Sequence, residues 1–475
     1  MTDIKSYYIG GRWVAPAAGN RAPVFDMVDP ATEQVHGRLS MGSAQDVDSA
    51  VAAARAAFPS WSRTSREQRM ALLSRILDGY KARLADMADA ITSEIGAPAW
   101  LAKEYQVNFG MVQITHSLAA LKDFAFETTH GTTRIDHVPI GVAGLITAWN
   151  WPADLVWGKV TAALAAGCTM VLKPSEYAPL DARIAAEILH DAGVPPGVFN
   201  LVYGEGPTVG DALVRHRGVD IVSITGSTRA GRQVAVAAAD TVKRVVQELG
   251  GKSPAVILDD ADLKTSVSVT VINVMLNAGQ TCTAPTRLLV PRAHYEAAVT
   301  IAAATADAMP VGAPRDDATK IGPVANQAQF EKVQSLIEAG MAEGARVAAG
   351  GPGRPDGLNM GYYVKPTVFA DVRNDMRIAR EEIFGPVISL IPYDTEEEAV
   401  AIANDTDYGL AGYVWSTDSA RAHRVARQLR VGVVRVNGAT MDFGAPFGGF
   451  KASGNGREHG AHGIAEYLEL RSVMG

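Results

Sequence analysis

The fold is decided by a stretch that begins Val142-Ala143-Gly144-Leu145-Ile146-Thr147-Ala148 and ends Asp220-Ile221-Val222-Ser223-Ile224-Thr225. Two further apolar runs lie between these ends, at residues 169–173 and 199–202. The intervening residues 159–166, 181–192 and 207–216 have the composition of helices. Short apolar strands that alternate with helices predict βαβ units around a parallel sheet.

A second series of the same kind follows Gly250-Gly251. Its predicted strands and helices are residues 255–258, 287–290, 294–309, 327–342 and 387–390. Residues 46–58 and 65–95 read as helices that precede the first series, because each begins with a Ser or Asp capping signal. The sequence therefore predicts an α/β fold with two parallel-sheet, Rossmann-like domains that meet near residue 250. Between the early helices and the first strand, residues 122–140 are polar and β-branched and predict a projecting hairpin.

Composition excludes several classes of protein. The chain has 475 residues, which is too long for one core, and its net charge of -7 gives no basic footprint for nucleic acid. Its two cysteines cannot form a disulfide framework or a four-thiolate zinc site, so no metal is predicted. No secretory signal and no apolar run of about 18 residues is visible. We expect a cytoplasmic protein without a membrane or nucleic-acid partner.

Cys282 is the residue whose surroundings are most informative. It lies in Asn277-Ala278-Gly279-Gln280-Thr281-Cys282, where small residues leave room for a substrate. A thiol is a nucleophile at neutral pH because part of it is already thiolate. From the residue alone, packing as a small buried hydrophobe is the better-supported alternative, and it is our interpretation of Cys168.

Three other segments suggest a ligand site, each with a plainer alternative. Thr225-Gly226-Ser227-Thr228 follows a strand and opens a helix, where amides bind phosphate, but a capped helix start has the same sequence. Lys173-Pro174-Ser175-Glu176 ends a parallel strand, where ligands bind, but a loose surface ion pair is as good a reading. Glu248-Leu249-Gly250-Gly251 could place a general base in a cleft, or could simply end an element in solvent.

Taken together, these segments resemble the NAD(P)-dependent aldehyde dehydrogenases over nearly the whole chain. The matching segments occur in the order of that family, which makes the resemblance specific. They are Ala148-Trp149-Asn150-Trp151-Pro152, Leu172-Lys173-Pro174-Ser175-Glu176, Thr225-Gly226-Ser227-Thr228, Glu248-Leu249-Gly250-Gly251-Lys252, Gly279-Gln280-Thr281-Cys282, Glu381-Glu382-Ile383-Phe384-Gly385-Pro386 and Pro446-Phe447-Gly448-Gly449-Phe450-Lys451-Ala452-Ser453-Gly454.

The resemblance implies the oxidation of an aldehyde to a carboxylic acid. Cys282 would attack the aldehyde carbon to form a thiohemiacetal, and the Asn150 amide with the Cys282 backbone amide would stabilise the oxyanion. Loss of hydride leaves a thioester, which Glu248 would hydrolyse by activating water. Lys159 and Glu458 match positions that pass protons towards solvent in some relatives, although packing would explain them equally well.

The same resemblance implies a cofactor site for NAD, with NADP possible. Lys173 and Glu176 would hold the adenine ribose, and the Glu176 carboxylate would repel a 2′-phosphate, which favours NAD. Ser227 would bind the pyrophosphate, Glu382 the nicotinamide ribose, and Phe384 the nicotinamide. Further cofactor positions complete the set, and they are Trp149, Ser175, Gly226 and Leu249.

The resemblance also implies the domain boundaries and the assembly. Residues 1–121 with 141–250 would bind NAD(P), residues 251–450 would form the catalytic domain, and residues 122–140 with 451–475 would form an oligomerisation element. A homodimer or homotetramer is expected because these projecting strands extend a neighbour's sheet in the family.

The substrate is predicted to be a small apolar aldehyde, aromatic or medium-chain aliphatic. The expected tunnel walls are mainly apolar and carry no pair of basic residues, and they comprise Tyr105, Phe109, Leu155, Trp157 and Phe443. A semialdehyde acid, acyl transfer to coenzyme A and a non-enzymatic role are the alternatives. Glu248 argues against the coenzyme A reaction, and the joint presence of Cys282, Asn150 and Glu248 argues against a non-enzymatic role.

Overall fold

The structure is a computed structural model that describes residues 2–475. Its first strands and helices, in chain order, are β1 (Thr2–Ile4), β2 (Tyr7–Ile9), β3 (Arg12–Val14), β4 (Val24–Asp29), β5 (Gln34–Ser40), α1 (Ala44–Trp61), α2 (Arg66–Ala82), α3 (Leu84–Ile95), α4 (Ala99–Leu101), α5 (Val107–Asp123), β6 (Glu127–His130) and β7 (Thr133–Pro139). The first α/β series comprises β8 (Val142–Ile146), α6 (Pro152–Ala166), β9 (Thr169–Lys173), α7 (Pro179–Asp191), β10 (Phe199–Leu201), α8 (Asp211–Arg215), β11 (Ile221–Thr225), α9 (Thr228–Ala238) and β12 (Arg244–Glu248).

The second α/β series and the C-terminal segment complete the chain. They comprise β13 (Pro254–Ile257), α10 (Leu263–Met275), β14 (Arg287–Pro291), α11 (Tyr295–Asp307), α12 (Gln327–Ala342), β15 (Arg346–Ala349), β16 (Thr367–Ala370), α13 (Arg377–Arg380), β17 (Val387–Tyr393), α14 (Glu396–Asn404), β18 (Ala411–Trp415), α15 (Ser419–Ala426), β19 (Val433–Val436), β20 (Gly454–Asn455), α16 (Gly460–Glu466) and β21 (Leu468–Val473).

The first series forms an eight-stranded sheet in the order β20-β12-β11-β8-β9-β10-β2-β3. The strands from β12 to β10 are parallel, and the strand order reverses between β8 and β11. Ligands of such sheets bind beyond the carboxyl ends of the strands at the point of reversal. The turns after β8 and β11 therefore lie where a ligand is expected.

The second series forms a seven-stranded sheet in the order β15-β16-β17-β14-β13-β18-β19. All neighbours in it are parallel except β15 and β16. Its inner strands β13, β14 and β18 are wholly buried and mainly apolar, as a sheet covered on both faces requires. These two sheets confirm the predicted α/β class with parallel-sheet domains.

Two small sheets lie outside the main ones. The strands β1, β5 and β4 form one, and β21, β7 and β6 form the other. The hairpin of β6 and β7 confirms the hairpin predicted for residues 122–140. The C-terminal segment divides between two sheets, because β20 pairs with β12 while β21 pairs with β7.

Three helices differ from the sequence prediction. The helix predicted over 65–95 breaks at Arg83 (φ -112, ψ 11), whose guanidinium turns to Asp86 and Glu187. The helix predicted from Lys159 begins at Pro152, since proline suits the first helical position. The helix predicted over 207–216 starts with a π-helical turn at Gly206–Gly210.

Each main sheet has its own apolar core. One core packs the first sheet against α1 to α7, and the other fills the space around α10, α11 and α12. Among residues 2–475, every helix is too short or too polar to cross a membrane. Within the same range, no group of three His, Cys, Asp or Glu side chains could hold a metal ion.

Candidate active site

A cavity of about 1180 Å³ runs between the two sheets. It collects nearly all of the predicted site residues, although they come from seven separate segments. Those that line it are Trp149, Asn150, Lys173, Ser175, Glu176, Gly226, Ser227, Glu248, Leu249, Cys282, Glu382, Phe384 and Glu458. Pockets for small molecules usually have volumes of roughly 300–1,000 Å³, so this cavity has room for a dinucleotide and a second ligand together.

A buried network of side-chain amides fixes the loop that carries Cys282. The Asn150 carbonyl accepts from Gln106 Nε2 at 3.1 Å and from Asn277 Nδ2 at 2.8 Å. Gln280 Nε2 donates to the Asn277 carbonyl at 2.9 Å, and Asn150 Nδ2 donates to the Gln280 carbonyl at 3.0 Å. An amide nitrogen carries two hydrogens, so Asn150 keeps one for a ligand in the cavity.

The backbone before Cys282 has a conformation that few residues adopt. Asn277, Ala278 and Gly279 follow one another in the left-handed region, with φ of 53°, 54° and 75°. A Cβ on Gly279 would lie 1.9 Å from the Gly385 carbonyl oxygen, so only glycine fits there. Such strain persists only where the surroundings enforce it, and it is concentrated at functional sites.

The Cys282 thiol lies in a desolvated and negatively charged environment. Burial raises the pKa of Cys282, and the charges of Glu382, Glu248 and Asp154 raise it further. The thiol is therefore protonated at neutral pH, and a base must remove its proton before attack.

Glu248 ends β12 and presents its carboxyl group to the cavity. Both carboxyl oxygens are buried without a hydrogen-bond partner in the described residues. Burial, together with the charge of Glu458, raises the pKa of Glu248 well above its usual value, although Lys159 opposes the shift. A Cβ on Gly448 would lie 2.7 Å from Glu248 Oε1, so glycine at 448 leaves the carboxyl its space.

Lys159 is the one predicted catalytic residue that does not line the cavity. It lies on α6 behind Glu458, and its ammonium donates to Glu458 Oε1 and to Ser223 Oγ, the latter at 3.1 Å. Lys159 and Glu458 also line a second cavity of about 10 Å³, which has room for about one water molecule.

The cofactor end of the cavity contains a helix N-terminus. Ser227 caps α9, and its Oγ accepts the Ala230 amide at 3.2 Å. The first amides of a helix have no partner within it, which suits a phosphate. Nearby, Lys173 Nζ lies 3.4 Å from Glu176 Oε2, and burial lowers the pKa of Lys173.

Glu382 and Phe384 approach the same cavity from the second sheet. Glu382 Oε1 accepts the Gly251 amide at 2.9 Å, and a Cβ on Gly250 would lie 2.4 Å from Glu382 Oε2. Phe384 has a left-handed φ of 58°, and its ring meets the Trp149 ring edge-on at 5.6 Å. The paired carboxylate, the glycine turn and the aromatic pair therefore fit the ribose and ring of a nucleotide.

The other end of the cavity has an aromatic wall. The Phe109 ring lies 5.3 Å from Trp151 and 5.2 Å from Phe443. Tyr105 extends this wall, and Leu155 lines the cavity as predicted. Trp157 was predicted to line it and does not, because the buried face of α6 turns its ring onto Tyr80 at 5.2 Å.

The sequence analysis gave no role to several residues that line the aromatic end. They are Gln113, Asp154, Tyr413, Arg435, Phe447 and His459. Two of them had a signal, since Asp154 follows Asn150 by four residues and His459 follows Glu458 directly. Arg435 is a single cation, and its guanidinium lies 5.4 Å from the centre of the Tyr413 ring.

Two parallel sheets that meet at a nucleotide-sized cavity, with a thiol loop at their junction, define a nucleotide-dependent oxidoreductase of α/β class. Comparison with known proteins gives the family. The sequence model of the aldehyde dehydrogenase family matches residues 13–473. The 3-succinoylsemialdehyde-pyridine dehydrogenase of a Pseudomonas species is 52% identical over 100% of this chain and 99% of its own.

Solved structures agree with the family. A mutant of aldehyde dehydrogenase C from Pseudomonas syringae, in a complex with NAD+ and octanal, superposes with a TM-score of 0.97 at 50% identity, covering 99% of this chain and 96% of the other. The Mycobacterium tuberculosis aldehyde dehydrogenase complexed with NAD+ gives a TM-score of 0.96 at 40% identity, covering 100% and 98%. The chain belongs to the aldehyde dehydrogenase family, as its seven motifs predicted, and is an NAD(P)-dependent oxidoreductase.

Proposed function

We propose that the protein oxidises neutral, apolar aldehydes to carboxylic acids with NAD+, and that Cys282 is the nucleophile. The observation that carries the substrate preference is the aromatic wall of Tyr105, Phe109, Trp151 and Phe443 beside the thiol. The octanal bound to the P. syringae relative is an aldehyde of this kind.

The proposed chemistry begins at the thiol. Cys282 Sγ attacks the aldehyde carbon once Glu248 has taken its proton, and the free Asn150 hydrogen with the Cys282 amide receives the oxyanion. Bound NAD+ supplies the hydride acceptor for the oxidation. What remains on Cys282 is a thioester.

Glu248 then acts on the thioester. Its carboxyl oxygens have no hydrogen-bond partner among residues 2–475, so the group is available to orient and deprotonate a water molecule. Water attack releases the acid and restores the thiol. The hydrogen-bonded pair of Lys159 and Glu458 is proposed to accept the proton and pass it out of the site.

For the cofactor, Lys173 and Glu176 are proposed to hold the adenine ribose, and the α9 amides near Gly226 and Ser227 the pyrophosphate. Ser175 and Leu249 complete the walls at this end, with Glu382, Phe384 and Trp149 at the nicotinamide end. The Glu176 carboxylate beside Lys173 favours NAD over NADP, since it would repel a 2′-phosphate.

The substrate named for the Pseudomonas relative carries no carboxylate, because its succinoyl group is joined to the pyridine ring as a ketone. A semialdehyde acid is the competing substrate class. Arg435 is the observation that favours it, because a single guanidinium lines the aromatic end. A clamp for a carboxylate usually needs bidentate or multiple cationic contacts, so one arginine over a tyrosine ring supports the apolar class better.

Assembly as a homodimer or homotetramer is proposed from two open sheet edges. Both β19 and β21 lie at the outer edge of their sheets, and Leu470 of β21 is 68% exposed. Pairing of β21 with β19 of a second copy would cover both edges. The division into 1–121 with 141–250, 251–450, and 122–140 with 451–475 is part of the same proposal. The cytoplasmic location stays a prediction.

The proposal is tested by initial rates with hexanal, octanal, benzaldehyde and succinic semialdehyde, each with NAD+ and with NADP+. We expect kcat/KM for the neutral aldehydes to exceed that for succinic semialdehyde by at least about tenfold, the ratio that one desolvated charge can produce. We also expect Cys282→Ala to lose oxidation while retaining NAD+ binding by fluorescence titration. A strong preference for succinic semialdehyde would refute the proposed substrate class and would leave the proposed reaction unaffected.

A further inference from the structure

Asp154 is a carboxyl group at the aromatic end of the cavity that the proposed chemistry does not use. It lies in the first turn of α6, four residues after Asn150, and its side chain lines the same cavity as Cys282. A carboxylate in the first turn of a helix is stabilised by the helix dipole. The wall that carries the apolar residues Trp151 and Leu155 therefore also carries a negative charge.

The position of this carboxyl group is fixed by the neighbouring helix. Gln113 on α5 is 3% exposed, and its Nε2 donates to Asp154 Oδ1 at 2.8 Å. Gly158 makes room for the Gln113 amide, since a Cβ there would lie 3.2 Å from Nε2. Two packed helices thus hold the Asp154 carboxyl group in the cavity wall.

The charge of Asp154 is not neutralised by the protein. Lys159, on the same helix, forms its ion pair with Glu458, and no other cation in residues 2–475 forms an ion pair with Asp154. Burial lowers the pKa of His459 to about 4, so that ring is neutral at physiological pH. Of the other ionisable groups that line this end, Cys282, Glu248 and Glu458 supply no positive charge, so Arg435 is the cation that remains to be considered.

The charge also reaches the reacting atom. Burial raises the pKa of Asp154 to about 6, a rise that the Gln113 hydrogen bond opposes, so the group is ionised above pH 7. Its charge helps to raise the pKa of Cys282, although burial, Glu382 and Glu248 have larger effects on that pKa. Aromatic rings around the cavity screen a charge poorly, so an anion entering this space is repelled more strongly than in water.

We propose that Asp154 is a specificity-determining residue, which excludes aldehydes that carry a carboxylate and so restricts the enzyme to neutral substrates. The inference rests on the proposed function and gives it a physical cause. Arg435, on β19, acts in the opposite direction. Its Nε is already engaged by the Ala439 carbonyl at 2.5 Å, and its guanidinium lies over Tyr413 rather than beside Asp154.

The test compares aldehydes that match in shape and differ by one charge. One pair is 4-nitrobenzaldehyde with 4-carboxybenzaldehyde, and a shorter pair is pentanal with succinic semialdehyde. We would measure kcat/KM for each at pH 8 with saturating NAD+. Asp154→Asn keeps the shape and the acceptor for Gln113, whereas Asp154→Glu keeps the charge. Asp442→Asn is the matched control, because it removes an exposed charge beside the tunnel residue Phe443.

In Asp154→Asn, we expect the neutral-to-anionic ratio of kcat/KM to fall by at least about tenfold, as loss of one poorly screened charge implies. Asp154→Glu should keep the ratio within about threefold of wild type and Asp442→Asn within about twofold, since an exposed charge is screened. Effects of a substitution on folding or on the chemical step cancel in the ratio.

Two outcomes would overturn the inference. One is a ratio that moves less than about twofold in Asp154→Asn for both pairs, and the other is an equal fall in Asp442→Asn. Failure of the proposed substrate class is a separate result. It would be read from the wild-type ratio itself, whereas the role of Asp154 is read from the change between wild type and variant.

Discussion

The two cysteines have opposite surroundings, which a thiol reagent can distinguish. Cys168 is fully buried, and its Sγ donates to the Tyr467 carbonyl at 3.3 Å, whereas Cys282 lines the cavity. We expect iodoacetamide to label Cys282 alone in the native protein. Because burial and nearby carboxylates raise the pKa of Cys282, the labelling rate should rise about tenfold per pH unit through neutral pH. Mass spectrometry after timed labelling measures this, and a pH-independent rate or modified Cys168 would contradict it.

Glu248 is the residue whose replacement separates the two halves of the reaction. Glu248→Gln keeps the side-chain volume and removes the base. We expect a burst of NADH of about one per active site, itself slower than in wild type because the variant also lacks the base that takes the thiol proton, followed by turnover slowed about 10²- to 10⁴-fold, the usual contribution of a general base. Stopped-flow absorbance at saturating aldehyde shows both phases. A linear time course would contradict a role for the carboxylate in hydrolysis.

The raised pKa of Glu248 gives the hydrolytic step a pH dependence. Burial keeps this carboxyl group protonated to higher pH, and only the deprotonated form accepts a proton from water. The rate of thioester hydrolysis should therefore rise as pH increases through that pKa, and the rise should vanish in Glu248→Gln. Single-turnover measurements between pH 6 and 10 test this, and an unchanged profile in the variant would exclude Glu248 as the titrating group.

At the scale of single residues, the sequence predicted those site residues that lie in short motifs. Cys282, Asn150 and Glu248 each lie in a recognisable segment, and all three line one cavity. Asp154 and Arg435 carry no motif, and they line the site only because α6 and β19 turn those positions towards it. Trp157 was wrongly predicted to line the tunnel, because a helix beside the tunnel also has a face that packs into the core.

Among the structural elements, the loop before Cys282 gives the sharpest test of backbone strain. Gly279→Ala would add a left-handed penalty and a Cβ 1.9 Å from a carbonyl oxygen. We expect a loss of more than about 3 kcal/mol of stability, since both a backbone conflict and a buried clash are involved. Gly344→Ala is the matched control. Gly344 has φ of 92° with no atom within 4 Å, so about 1–2 kcal/mol is expected. The urea unfolding midpoints of the two variants measure the difference. Equal losses of stability would refute the predicted clash at Gly279.

Seven strands of the two main sheets, β8 to β11, β13, β14 and β17, could be predicted because each is a mainly apolar run, as burial on both faces demands. The pairing of β20 with β12 could not, because two residues carry no periodicity and their partner lies some 200 positions earlier. The left-handed conformations of Asn277 and Ala278 could not be predicted from the sequence either. Only the adjacent Gly279 signals unusual backbone there.

For the whole molecule, assembly is tested on the exposed face of β21. Leu470→Lys places a charge at the centre of the proposed interface, where Leu470 is 68% exposed in the single chain. We expect the variant to elute as a monomer and to have its monomer mass by light scattering, because a buried unpaired charge opposes association. Val24→Lys, at a 59% exposed valine on β4, should assemble as wild type does. An oligomeric Leu470→Lys protein would refute this interface.

One continuous segment connects the catalytic base to the proposed interface. Glu248 pairs with Gly454 of β20, and the chain then runs through Glu458 and α16 to β21 within 20 residues. If a second subunit holds β21 in place, mass action favours the assembled state and the ordered site together. Specific activity should then depend on enzyme concentration, falling as the protein is diluted below its dissociation constant and returning on reconcentration. For this enzyme, how much protein a cell contains would set how active each molecule is.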